Sequence, residues 1–197
     1  MDPADRVGAD AERARYETHE NDPADPRYRA FLDRLAVPLA ERVPPGSEGL
    51  DYGSGPGPTL SLMLEERGFV MSIYDPFFQP ERDVLARVYD FVTCSETAEH
   101  FFHPAEELAR LDALLRPGGW LAVMTGVLTD DLIFADWWYV RDPTHVCFYT
   151  PWTLRWIAEH HGWSLERPST NVALFRKSPA SALPAHPTSP GSSAATG

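Results

Sequence analysis

Gly49-Leu-Asp-Tyr-Gly-Ser-Gly-Pro-Gly57 decides how the chain is read. An apolar lead-in ends on an acid, Asp51, and glycines follow at 53, 55 and 57. Glycine alone tolerates positive φ and leaves room where backbone must approach another group closely. The stretch therefore describes a strand that turns sharply and hands over to a helix beginning near Pro58 and Thr59. Leu60, Met63 and Leu64 mark the apolar side of that helix, and Gly68 closes it. Val70-Met-Ser-Ile-Tyr74 reads as the next strand and ends on Asp75. Strand, glycine turn, helix and strand make a βαβ unit, which demands a parallel sheet.

The flanks extend the same architecture. Upstream, Tyr28, Phe31, Leu35 and Leu39 recur at helical spacing from Arg27, with Pro38 expected to kink or end the helix early. Downstream, fourteen residues separate Asp75 from Asp90 and contain Pro76 and Pro80, too little for a full helix and strand. Phe91-Val-Thr-Cys94 is a β-rich run of the kind buried on both faces. Pro104 to Arg116 reads as a helix ended by Pro117-Gly-Gly119, and Trp120 to Thr125 as a strand. Thr150-Pro151 is an N-cap with proline at the first helical position, and Gly162 ends that helix. Two short strands, Trp163 to Glu166 and Asn171 to Arg176, form an antiparallel hairpin. The fold class expected is α/β, a Rossmann-like doubly wound, mostly parallel sheet of six to seven strands.

Composition narrows the function. The 197 residues are 43% hydrophobic with six Trp, enough for one domain with one sizeable core. A formal net charge of −12 excludes a phosphate-binding surface, so no nucleic acid is expected as partner. No apolar run is long enough to span a membrane and the N-terminus has no leader-like pattern, so a cytoplasmic protein is expected. Residues 1–26 read as a charged surface segment, with a lid over a pocket as the second reading. Residues 27–177 form the domain, and 178–197, rich in Ser, Ala and Pro, read as a disordered tail.

Four stretches, in order, resemble the motifs of class I S-adenosylmethionine-dependent methyltransferases: the glycine stretch, the strand ending at Asp75, Tyr89-Asp-Phe-Val-Thr-Cys-Ser-Glu-Thr-Ala-Glu-His100, and Leu115-Arg-Pro-Gly-Gly-Trp120. The third is most similar to the ubiquinone-biosynthesis O-methyltransferases. His145-Val-Cys-Phe-Tyr-Thr-Pro-Trp-Thr-Leu154 also resembles small bacterial members of that superfamily. The resemblance implies S-adenosylmethionine as cofactor, bordered by Gly53, Ser54, Gly55 and Gly57. Asp51 would meet the methionine amino group and Asp75 the ribose hydroxyls, while Cys94, Ser95 and Glu96 would flank the sulfonium. The family usually places a helix and strand where residues 76–89 are truncated, leaving Phe77 or Phe78 to meet the adenine.

Other readings stand beside these. Asp75 also suits a turn cap before Pro76. A nicotinamide-dinucleotide loop needs glycine where Pro58 stands, which makes an NAD-dependent oxidoreductase the distant alternative. A non-catalytic protein that binds S-adenosylmethionine for regulation or assembly is the nearer one. His145 is the candidate general base, with Glu96 and His100 behind it. Tyr16, His19, Trp137, Trp138, Tyr139 and Phe148 are the candidate pocket for a small-molecule acceptor, aromatic or apolar. No histidine, cysteine and carboxylate set has metal-ligand spacing along the chain, so no metal is expected.

Overall fold

A computed structural model describes residues 6–18 and 21–179. His19 and most of the expected C-terminal tail lie outside the described residues. Six strands form one sheet in the order β2-β1-β3-β4-β6-β5: β1 (Glu48–Tyr52), β2 (Val70–Tyr74), β3 (Tyr89–Ser95), β4 (Leu115–Met124), β5 (Ser164–Ser169) and β6 (Val172–Arg176). The first four run parallel, β6 runs antiparallel to β4, and β5 pairs with β6 as the expected hairpin. The Rossmann-like α/β expectation is borne out. Strand β1 lies between β2 and β3, so the chain leaves it in opposite directions and a crevice opens at its carboxyl end.

The period-2 alternation of side chains sorts the strands between two cores. Leu121 and Val123 of β4 join Leu50, Val92 and Cys94 on one face, packed against Leu111 of α4 (Pro104–Leu114) and Leu154 and Ile157 of α5 (Pro151–His161). Trp120, Ala122 and Met124 join Phe91 on the other, against Leu35 and Leu39 of α2 (Pro26–Ala40) and Leu60 and Leu64 of α3 (Thr59–Glu65). Because both faces are covered, the central strands read as unbroken apolar runs.

Local chemistry sets the helix ends. Asp25 caps α2 by accepting from Arg27 N at 2.8 Å, and Pro26 takes the first helical position. Pro38 does not end this helix early. It sits in the last turn of a helix that runs on to Ala40, and its missing N–H forfeits one bond, to the carbonyl of Arg34. Thr150 Oγ1 accepts from Thr153 N at 3.0 Å to start α5, and Gly162 ends it at φ +65°. The Pro117-Gly-Gly119 segment lies inside β4 as a bulge: β3 advances from Tyr89 to Phe91 while β4 advances from Leu115 to Trp120. Residues 76–88 hold only a short 3₁₀ turn, Arg82–Ala86. The N-terminal segment carries a helix that its composition did not disclose, α1 (Ala9–Tyr16). Among the described residues no helix is long and apolar enough to cross a membrane.

Gly49 shows how tightly β1 is held. A Cβ there would fall 2.2 Å from the ring of fully buried Phe91 and 2.8 Å from Met71 Sδ. Gly49→Ala is expected to cost about 1–3 kcal/mol by overpacking alone, read as a lower urea midpoint at unchanged m-value.

Candidate active site

The carboxyl ends of β1, β2 and β3 open into one cleft of about 970 Å³, lined on one wall by the glycine turn and on the other by residues 95–103 and 138–145. Gly53 turns at φ +84°, and Gly53 N and Ser54 N both donate to Tyr74 O, at 2.8 and 3.2 Å. The close approaches that demand glycine come from the chain itself. A Cβ on Gly53 would meet Thr97 Cγ2 at 2.3 Å, and one on Gly57 would meet Asn21 O at 2.6 Å. Asn21 O also accepts from Thr59 Oγ1 at 2.9 Å, so this residue clamps the turn from outside.

Two acids serve this end of the cleft differently. Asp75 is buried: Oδ2 accepts from Gly55 N at 2.9 Å, and Oδ1 from Phe77 N and Phe78 N at 2.9 and 3.1 Å. It therefore caps its own turn, and after those three bonds the acceptor capacity left to the carboxylate is the second lone pair of Oδ2. Asp51 is buried with its oxygens on Thr93 Oγ1 at 2.7 Å and Ser61 Oγ at 3.2 Å, and burial pushes its carboxyl up to about 6. Ser54 Oγ lies buried in the same wall, without a hydrogen-bond partner among the described residues. Phe77 lines the cleft, whereas Phe78 turns to the Arg13 guanidinium, 5.8 Å from its ring.

The opposite wall starts at the end of β3. Ser95 and Glu96 line the cleft, but Cys94 does not: strand alternation turns it into the core, where burial pushes its thiol well above the usual range. Glu96 stands at φ +48°, and burial together with the nearby Glu99 carboxylate pushes its carboxyl up to about 8. Glu99, passed over by the reading of the sequence, is completely buried. The Tyr139 hydroxyl donates to Oε1 and Thr125 Oγ1 donates to Oε2 at 2.9 Å, while burial holds its carboxyl above the ordinary range.

His100 and His145 complete the corner, their rings 4.9 Å apart. His145 Nδ1 lies 2.7 Å from Tyr139 O, and His100 Nδ1 lies 3.0 Å from Thr144 O. Burial lowers the His145 imidazole below its ordinary value, with the Glu99 charge opposing. Tyr16 reaches in from α1, edge-on to His100 at 5.1 Å, and its hydroxyl donates to Glu12 at 2.7 Å. Trp138 and Tyr139 line the cleft; Trp137 and Phe148 do not. Trp137 stacks behind Tyr139 at 4.9 Å and Phe148 packs on Trp137, so both support the wall from outside. Glu99, His100 and His145 converge here although forty-four residues of chain lie between the histidines.

A family model described as a methyltransferase domain matches residues 20–167. The chain belongs to this methyltransferase family. The class I resemblance drawn from the motifs is thereby borne out. No curated protein sequence matches the chain. Among solved structures, an O-methyltransferase family protein from Burkholderia thailandensis aligns with TM-score 0.57 at 19% identity, over 86% of this chain and 63% of its own. A 1,6-didemethyltoxoflavin N1-methyltransferase from the same organism, solved with that substrate and S-adenosylhomocysteine, aligns with TM-score 0.60 at 16% identity, over 86% of this chain and 88% of its own. The [4+2]-cyclase SpnF aligns with TM-score 0.51 at 16% identity, over 81% and 85%. At these identities the likeness is one of fold.

In this methyltransferase the buried Asp51 carries a stability cost with a defined pH window. Its folded pKa of about 6 lies above the ordinary 3.8, so the folded state holds the proton more tightly and stability falls as pH rises between those values. The penalty at pH 7 is roughly 3 kcal/mol at ~1.4 kcal/mol per unit. Asp51→Asn, which keeps both hydroxyl partners, is expected to be more stable than the parent by about 1–3 kcal/mol at pH 7, with the difference closing near pH 4. Urea midpoints at the two pH values check it.

Proposed function

We propose that the chain transfers the methyl group of S-adenosylmethionine to a small-molecule acceptor, with a hydroxyl favoured over an amine. The observation that carries this is the division of one cleft into two chemical ends: buried acids with an orphaned hydroxyl at the first, imidazoles and aromatic rings at the second. The residues at the first end fit the cofactor. Among the described residues Asp51 has no cationic partner and would take the methionine ammonium, Ser54 Oγ would gain a partner, and Asp75 would accept from a ribose hydroxyl through the lone pair left on Oδ2. Phe77 would flank the adenine. When bound, the cofactor supplies a methyl group already activated on a sulfonium.

The chain's remaining task is to orient the acceptor and exclude water. Tyr16, Trp138 and Tyr139 give the acceptor flat apolar surfaces. His145 donates through Nδ1 to a carbonyl, so its Nε2 lone pair is the one that would take a hydroxyl proton. Helix α1 serves as the lid. Arg15 Nε and Nη2 both reach Asp142 Oδ2, at 3.0 and 2.9 Å, and tie the helix to the aromatic wall. Burial raises the Asp142 carboxyl, but its Thr144 hydrogen bonds and Arg15 outweigh that and hold it below the usual range. Free cysteines, Cys94 buried and Cys147 half-buried, suit the cytoplasm. The second reading is a protein that binds the cofactor without transferring its methyl; a [4+2]-cyclase with this fold favours keeping it.

Calorimetric titration with S-adenosylmethionine and S-adenosylhomocysteine, with NADH as control, tests the proposal. Micromolar binding of both nucleosides and none of NADH is expected. Asp75→Asn, which still accepts from the Phe77 and Phe78 amides, should bind about ten- to a hundredfold more weakly, the scale of a charge-assisted hydrogen bond. A folded parent that binds neither nucleoside overturns the reading, and binding with no methylation across hydroxyl and amine acceptors favours the non-catalytic one. Arg15→Ala is expected to raise the acceptor KM roughly two- to fivefold, as for a partly exposed ion pair, while cofactor affinity stays within about twofold.

A further inference from the structure

A carboxylate oxygen of Glu99 and one ring nitrogen each from His100 and His145 lie within 4.8 Å of one another. The convergence is built by backbone hydrogen bonds. Glu99 and His100 are consecutive in the 3₁₀ turn Ala98–His100, and Glu99 O accepts from Val146 N and Cys147 N, both at 2.9 Å. That pins the residue after His145 to the residue before His100. A carbonyl only accepts, so the Nδ1 contacts to Thr144 O and Tyr139 O put the proton on Nδ1 of both rings and the lone pair on Nε2. Outer carbonyls hold metal-binding imidazoles in this way, fixing tautomer and direction together. The Glu99 carboxylate is oriented likewise by the Tyr139 and Thr125 hydroxyls, both acting as donors.

Charge points the same way. Glu99 has no exposure, Glu96 stands beside it, and among the described residues neither carboxylate has a Lys or Arg partner. A buried carboxyl with a second acid beside it must either keep its proton or find a cation.

We propose that Glu99, His100 and His145 bind one divalent transition-metal ion of the zinc class, with the side facing the cleft left open for a substrate oxygen. Around such an ion the ligand atoms stand roughly 3.4 Å apart, given metal–nitrogen bonds of about 2.0–2.1 Å, so the three side chains draw together by about an ångström. Two imidazoles and one carboxylate suit zinc, cobalt, iron(II) or manganese better than magnesium or calcium. Three protein ligands and an open position are the arrangement of a reactive site rather than a structural one. On the methyl-transfer reading, on which this step alone rests, the open position receives the acceptor hydroxyl. Its oxygen binds the cation, its proton passes to water, and His145 acts as ligand in place of base.

Chelator-treated full-length protein is titrated with Co²⁺, followed by its visible absorption, and with Zn²⁺ by calorimetry. One equivalent is expected to bind at micromolar affinity or tighter. Glu99→Gln and His100→Asn are each expected to weaken binding by at least about tenfold, the scale lost even when an outer-shell partner is removed. His100 is only half-buried, so His100→Asn keeps the test open if the Glu99 variant fails to fold. A folded parent that binds less than one equivalent, or equal affinity in folded His100→Asn, overturns the metal site. Titration of the same samples with S-adenosylmethionine separates the two readings: Co²⁺ binding without nucleoside binding overturns methyl transfer and leaves the metal site standing, and the reverse result does the opposite.

Discussion

Carboxylates buried where parallel strands end are the constraint on which the rest of this structure depends. A parallel sheet brings the carboxyl ends of its strands to one edge, and here that edge receives Asp51, Asp75 and Glu99, all buried. Each is made tolerable by donors from a different source. Asp51 uses hydroxyls from β3 and α3, Asp75 uses three backbone amides, and Glu99 uses hydroxyls from the end of β4 and the aromatic wall. An uncompensated ion in such a place costs several kcal/mol. The strand register is what delivers these partners, since Asp51 pairs with Thr93 across β1 and β3.

The same constraint gives the cleft its second wall. Residues 125–150 have no sustained helix or strand period, yet they are fastened to the turn after β3 at several points. Val146 N and Cys147 N reach Glu99 O, the Tyr149 hydroxyl reaches Ala98 O at 3.0 Å, and Leu128 N closes onto Tyr149 O at 2.8 Å. A long loop normally carries backbone groups that only water can satisfy. Here they are satisfied by the polar edge of the sheet, which turns an irregular segment into a rigid wall. Helix α1 then attaches to that wall through Asp142 and completes the enclosure.

Most of the sheet and the glycine turn that walls the cleft were legible in the amino-acid order because the signals are local. A strand, a glycine turn and a helix within twenty residues leave few topologies, and Pro58 argued against a dinucleotide loop without any coordinates. The truncated segment between Asp75 and Asp90 announced itself by length alone. Thr150-Pro151 and Gly162 marked both ends of α5 because capping is decided by one or two residues.

Phase and distance set the rest. Cys94 and Ser95 are neighbours, but the two-residue period of a strand sends one into the core and the other to the cleft. Trp137 and Trp138 divide in the same way, one behind Tyr139 and one on the cleft, and no period in the loop foretold which. Glu99 looked like one acid among twenty-nine, and became the least exposed of the described carboxylates only when the 145–147 segment folded over it. Its meeting with His100 and His145 spans a separation that no spacing rule covers. The sequence by itself thus determined the sheet and its glycine turn, whose physics is short-range. Tertiary structure alone decided which polar side chains share a buried corner, because burial and convergence are properties of packed elements and not of the residues in line.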